Sequence, residues 1–163
     1  VFPSSNVAWW SREAAITSSK KDRGFPEAML RVLRLFAVAV GINFIWEMAQ
    51  MPLYQGMPFD ELSSWWLCLR ASVGDGVIVV AIWAIGSALF RRFEWYAPLR
   101  PAPIAALLIT GALIAVGIEI HALGTGRWAY SQLMPTVPLL GVGLSPLVQL
   151  LVLPYLSMKL GLG

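Results

Sequence analysis

Three carboxylic acids, Glu47, Asp75 and Glu119, stand inside strongly apolar sequence. Ionisable side chains are costly in hydrocarbon and turn toward protein interior or water. Each has polar company. Asn43, Glu47 and Gln50 recur at i, i+4 and i+7 and share one helical face. Arg70 precedes Asp75, which Gly74 and Gly76 flank. Glu119 and His121 lie together, and Ser145 and Gln149 are four apart. Two chemistries fit. Either Arg70 or Arg127 neutralises Glu47, Asp75 or Glu119, with His121 at the interface, and the pairs fix helix order. Or the acids do proton chemistry, since a carboxyl in a low-dielectric setting can keep a proton at neutral pH and act as a general acid. A metal site is the weaker reading. Glu119 and His121 are two apart and point to different faces, and the Glu-x-x-His pairing of helical di-iron sites is missing. The sequence predicts no metal.

The composition says what must hold these residues. Of 163 residues, 58% are hydrophobic and 13% charged. Soluble domains run at about 45–50% apolar and about 25% charged. With a mean hydropathy of +0.68, the chain reads as a bilayer protein rather than a soluble enzyme or a disordered tail. A membrane helix needs about 20 apolar residues. Four such spans are expected, at about 29–50, 64–90, 103–124 and 135–158. They follow a polar, turn-rich arm over residues 1–28, which carries no apolar run that would serve as a cleavable leader. In lipid the backbone must satisfy its own hydrogen bonds, so the spans should be helices. The expected fold is an all-α, polytopic four-helix membrane bundle.

All twelve basic residues except Arg70 and Arg127 fall in the arm, the start of span one, the loop between spans two and three, or the C-terminal end. The positive-inside rule then places both termini in the cytoplasm, in what reads as a bacterial inner membrane. The basic balance is a topology signal and calls for no nucleic acid. On this topology Glu47, Asp75 and Glu119 all lie in the outer half of the bilayer. Arg70, His121 and Arg127 lie there too, and one polar cluster with Asn43 and Gln149 is expected. Trp46, Trp65, Trp66 and Trp128, with Tyr54 and Tyr130, would anchor the outer interface, and Trp95 and Tyr96 the inner one. Trp9 and Trp10 in the arm suit a membrane surface or a partner. The single Cys68 leaves no intrachain disulfide, and the single His121 no bis-histidine haem.

Small residues set the packing. Gly111, Ala115, Glu119 and Ala122 make one narrow stripe, and Gly141, Ser145 and Gln149 another, of the kind that lets helices approach closely. Span four holds Pro135, Pro138, Pro146 and Pro154, so it should be kinked, with a broken start as the alternative.

The run Glu119 to Tyr130 (EIHALGTGRWAY), followed by Met134-Pro135 and then Gly141 to Pro146 (GVGLSP), resembles small integral membrane carotenoid-biosynthesis proteins of the carotenoid hydratase and small-subunit lycopene cyclase type. The resemblance covers about 30 residues. It implies an intramembrane acid, a Gly-rich outward turn, an aromatic-x-Tyr element and a Gly- and Pro-containing helix. The cyclases carry an acidic pair after that proline, where this chain has Leu147-Val148-Gln149. The run Asn43 to Tyr54 (NFIWEMAQMPLY) is similar to uncharacterised bacterial membrane proteins and implies no activity.

Three functions are open on this basis. The first is a non-enzymatic accessory subunit of a larger membrane assembly, respiratory or photosynthetic, with other membrane subunits as partners. The second is an intramembrane enzyme on a polyisoprenoid or carotenoid. There Glu119 would protonate a C=C bond, Asp75 or Glu47 would take a proton or orient water, and Trp46 and Trp128 would face the cation. The third is a proton- or ion-coupled carrier with the acids as relay. None requires a cofactor, and a bound lipid, carotenoid or other pigment is compatible with each.

Overall fold

The structure, a computed structural model, describes the backbone of residues 8–97 and 100–163 and the side chains from residue 27 onward, Pro98 and Leu99 excepted. It contains four long helices: α1 (Ala8–Gln50), α2 (Leu62–Phe90), α3 (Pro101–Gly124) and α4 (Leu144–Leu162). A short 3-10 turn, Met51–Leu53, closes α1. Four segments, Glu27–Leu53 and the whole of α2, α3 and α4, are long and apolar enough to cross a membrane. This is the build of an integral membrane protein.

Helix ends follow local chemistry. Pro52 has no N–H to continue α1. Arg91 takes the left-handed conformation, φ 51°, that commonly ends a helix, and closes α2. Pro101 and Pro103 open α3, where a missing N–H costs nothing. The polar residues ahead of span one differ from expectation: α1 already runs from Ala8 where a turn-rich arm was expected. The roles assigned to Trp9 and Trp10 lie outside the described side chains.

The fourth span is also corrected. No charged residue occurs between Arg127 and Lys159, which made 135–158 look like one continuous span. Residues 135–143 instead form an irregular loop, and α4 starts at Leu144. Pro135 and Pro138 remove donors there. Leu139 and Gly141 turn the chain at φ 70° and 65°. Gly141 is therefore not part of a helical stripe with Ser145 and Gln149.

Helix α1 packs most extensively on α2 and α4, and α3 packs chiefly on α4. Glycines allow the close crossings. A Cβ on Gly161 would meet the Leu35 Cα at 2.8 Å, and one on Gly76 would meet Val40 Cγ2 at 2.7 Å. The stripe Gly111, Ala115, Glu119 and Ala122 is buried throughout.

The interior is divided along the bundle axis. At the α2–α3 end, Leu35, Ala39, Val79, Ile82, Leu107, Met158 and Leu162 form an apolar core with Trp95 and Tyr96. Both aromatics were expected at a membrane interface. They are buried because the α2–α3 turn folds back: the Trp95 indole donates to the Trp83 carbonyl at 3.0 Å and its ring stacks on Phe90, 5.6 Å between centroids. Gly86 leaves the space its ring fills. The polar residues gather toward the opposite end, where the α1–α2 turn and the α3–α4 loop meet. Gln55 N–H donates to Ala129 O at 2.9 Å and Ser131 N–H to Leu53 O at 2.9 Å, so the two connections act as one cover.

Candidate functional site

Three helices bring the site together. Asn43, Glu47 and Gln50 come from one face of α1, Asp75 from α2, and Ser145 and Gln149 from the first turns of α4. The Gln149 side chain is the hub. Its Nε2 donates to Asn43 Oδ1 at 2.9 Å, Glu47 Oε1 at 2.9 Å and Asp75 Oδ2 at 3.0 Å. Its Oε1 accepts from Gln50 Nε2 at 3.2 Å. Gln50 also donates to Glu47 Oε1 at 2.9 Å, and Ser145 Oγ donates to Gln50 Oε1 at 2.8 Å. Asn43 Nδ2 donates to Ala39 O at 2.8 Å, which fixes its oxygen toward Gln149. Asn43, Gln50 and Gln149 are all buried. The Glu47 and Asp75 carboxyls thus converge on one amide nitrogen.

An amide nitrogen carries two hydrogens, and here it faces three acceptors. Acceptors exceed donors around the two acids.

Glu119 forms the second part. It is buried on α3, and its Oε2 accepts from the Trp128 indole at 3.2 Å and from the Tyr130 hydroxyl. That hydroxyl also accepts the Gly143 N–H at 2.7 Å, so one phenol ties α3 to the start of α4. Burial first, then the bond to Glu119, pushes the Tyr130 phenol above its usual range. Tyr54 sits between the two parts. Its ring lies edge-on to Trp128 and Tyr130, with centroids 6.3 and 5.8 Å apart. Burial, then the charges of Glu119 and Glu47, push its phenol up as well.

The structure thus unites Glu47, Asp75, Asn43 and Gln149, with Glu119 beside them. It does not bring in the expected cations. Arg31–Glu94 is the one ion pair among the described residues, and it is at the far end of the bundle. Arg70 and His121 are exposed, and Arg127 lies against Trp128, its guanidinium carbon 5.9 Å from the ring. The expected pairing of Arg70 or Arg127 with the acids is therefore corrected. Trp128, expected as an interface anchor, is a donor to Glu119. Trp65 and Trp66 are exposed, and the Trp65 indole donates to Phe59 O at 2.8 Å. Trp46 is partly buried, and its indole nitrogen has no hydrogen-bond partner among the described residues. No group of three or more His, Cys, Asp or Glu among the described residues is placed to hold a metal ion. Tyr54 and Tyr130 are the site members that sequence reasoning left among the belt aromatics.

Tyr130→Phe should release the α3–α4 loop. It removes a donor to a buried carboxyl and an acceptor for a buried N–H, a loss of about 1–3 kcal/mol. Hydrogen exchange at Gly143 should rise, and a protected Gly143 amide would contradict the latch.

Fold and site together define a helical membrane bundle with a partly buried, amide-bridged carboxyl centre near one end. No family model, no curated protein and no solved structure matches the chain.

Proposed function

We propose that the protein is an intramembrane acid–base protein, whose working group is the Glu47–Asp75 pair. The observation that carries this reading is the convergence of those two carboxyls on one neutral amide nitrogen, with no cation beside them among the described residues. Two carboxylates held this close repel, and one proton taken up by the pair relieves the repulsion. That proton is the exchangeable unit. Tyr54 and the Glu119–Tyr130 pair provide its route toward the cover formed by the α1–α2 turn and the α3–α4 loop. With the basic loops cytoplasmic, this cover faces the outer side of a bacterial inner membrane.

The substrate class follows from the sequence resemblance: an apolar, unsaturated lipid of the polyisoprenoid or carotenoid type, entering from the bilayer. Glu119 changes role relative to the sequence expectation. The oxygen facing the loop is already occupied as an acceptor. Glu119 thus suits holding Tyr130 and receiving a proton, and the Glu47–Asp75 pair suits giving one.

A second reading, an accessory subunit of a larger membrane assembly, is favoured by the way Gln50, Gln149 and Ser145 tie α1 to α4 through side-chain bonds. Such cross-linking is also what a structural lock between helices requires.

Infrared spectroscopy of the reconstituted protein tests the first reading. A protonated-carboxyl band at neutral pH, shifting in heavy water and lost in Glu47→Gln/Asp75→Asn, is the expected result. Absence of the band, or its survival in the double variant, would overturn it. Lipid and pigment extracts from a host carrying wild type or Glu47→Gln test the substrate class, and identical extracts would remove it. A folded Glu47→Gln/Asp75→Asn protein that loses its co-purifying subunits without any change in extracts would favour the second reading.

A further inference from the structure

At the end of the bundle opposite the carboxyls, Arg31, Arg34 and Lys159 line a cavity of about 410 Å³ with Glu94, Tyr96 and Leu162. Ligand pockets run from about 300 to 1,000 Å³. The place is set by packing. Gly161 lets α4 lie against the Leu35 backbone, which brings Lys159 of α4 beside the Arg31 and Arg34 turn of α1. Arg31 is committed to structure. It donates to Glu94 Oε1 at 2.8 Å and to Leu162 O at 3.1 Å, and it stacks on Phe93 at 4.5 Å. Glu94 is thereby taken up. Arg34 is held by a single bond to Leu160 O at 3.3 Å, which leaves most of its guanidinium N–H groups open to the cavity. Neither Arg34 nor Lys159 has an acidic partner among the described residues.

Depth decides what such a pair meets. Arg34 is seven residues inside the apolar segment that starts at Glu27, about 10 Å at 1.5 Å per residue. Lys159 is three residues before the end of α4, about 5 Å. Long basic side chains this near a helix end extend to the boundary where lipid phosphates lie. Basic pockets between membrane helices suit anionic headgroups.

We propose that this cavity binds a phosphate ester, supplied by the headgroup of an anionic phospholipid. The guanidinium of Arg34 grips two phosphate oxygens and the Lys159 ammonium neutralises the remainder.

Native mass spectrometry of the full chain from neutral detergent tests this, with phosphatidylglycerol, phosphatidylcholine and inorganic phosphate as separate probes. One phosphatidylglycerol should be retained per chain. Retention should weaken about 30-fold in Arg34→Gln/Lys159→Gln, two cationic contacts at the usual strength of basic residues at an anionic surface. Arg91→Gln/Arg92→Gln removes the same charge from the same end outside the cavity, and should change retention less than about threefold. Inorganic phosphate that displaces the lipid weakly supports the lipid as source, whereas phosphate that binds as tightly as the lipid overturns it in favour of a soluble anion. Equal retention of phosphatidylcholine, or equal loss in the two double variants, would overturn the site itself.

Discussion

Gln149→Leu should destabilise the folded bundle by about 2–4 kcal/mol, far more than its surface burial suggests. The side chain faces four partners on other helices, Asn43, Glu47, Asp75 and Gln50, and can bond three of them at once. Interhelical hydrogen bonds in membranes average about 0.6 kcal/mol. Leucine also takes their shared donor from two part-buried carboxyls, and leaving such a group unsatisfied costs up to about 1–3 kcal/mol. The companion variant Glu47→Gln/Asp75→Asn should behave differently. Its amides can donate as well as accept, so the acceptor excess disappears and stability should change by less than about 1 kcal/mol or rise. Reversible unfolding in mixed micelles reads both. A Gln149→Leu protein as stable as wild type would show that the hub carries no load, and a collapsed double variant would make the acids structural. The contrast matters for function. A cluster that is more stable without its acids is one in which the acids are kept for what they do.

The polar site was partly visible in the sequence. The i, i+4, i+7 spacing of Asn43, Glu47 and Gln50 fixes one face of α1, and all three do point at Gln149. Helical spacing gives depth and face along one helix, but it does not give a partner. Arg70 and Asp75 are five residues apart, so they diverge by about 140° around α2 at 3.6 residues per turn. Asp75 turns inward and Arg70 outward. Tyr130 was hidden for another reason. Its hydroxyl reaches back to Glu119 because Gly126 takes φ 67° and the loop then pairs Tyr54 with Tyr130. A path built on a left-handed glycine and a contact 76 residues away leaves no periodic trace. The start of α4 was misplaced because hydropathy registers the missing charges of 128–158 and is blind to where proline and glycine stop a helix.

The same proline chemistry yields the second large effect. Pro154 lies inside α4 and has no N–H to offer the Leu150 carbonyl one turn earlier. That oxygen points at α3. A Cβ built on Gly111 would stand 2.3 Å from it, so the glycine Cα–H occupies the place and contacts the freed carbonyl. Gly111→Val should therefore push α3 off α4 and cost about 3 kcal/mol, the upper part of the overpacking range, because the obstacle is backbone and cannot rotate away. Gly111→Ala should cost about 1–2 kcal/mol by the same clash. The displacement should travel. Glu119 is eight residues further along α3, about 12 Å, and its partner Tyr130 is pinned to α4 through Gly143. Moving α3 should stretch that link and raise exchange at the Gly143 amide, as Tyr130→Phe does directly. Pro154→Ala supplies the control. It gives the Leu150 carbonyl an intrahelical donor, so its effect and that of Gly111→Ala act on one atom and should not add. Strict additivity of the two, measured as unfolding free energies, would mean that the crossing does not depend on the Leu150 oxygen.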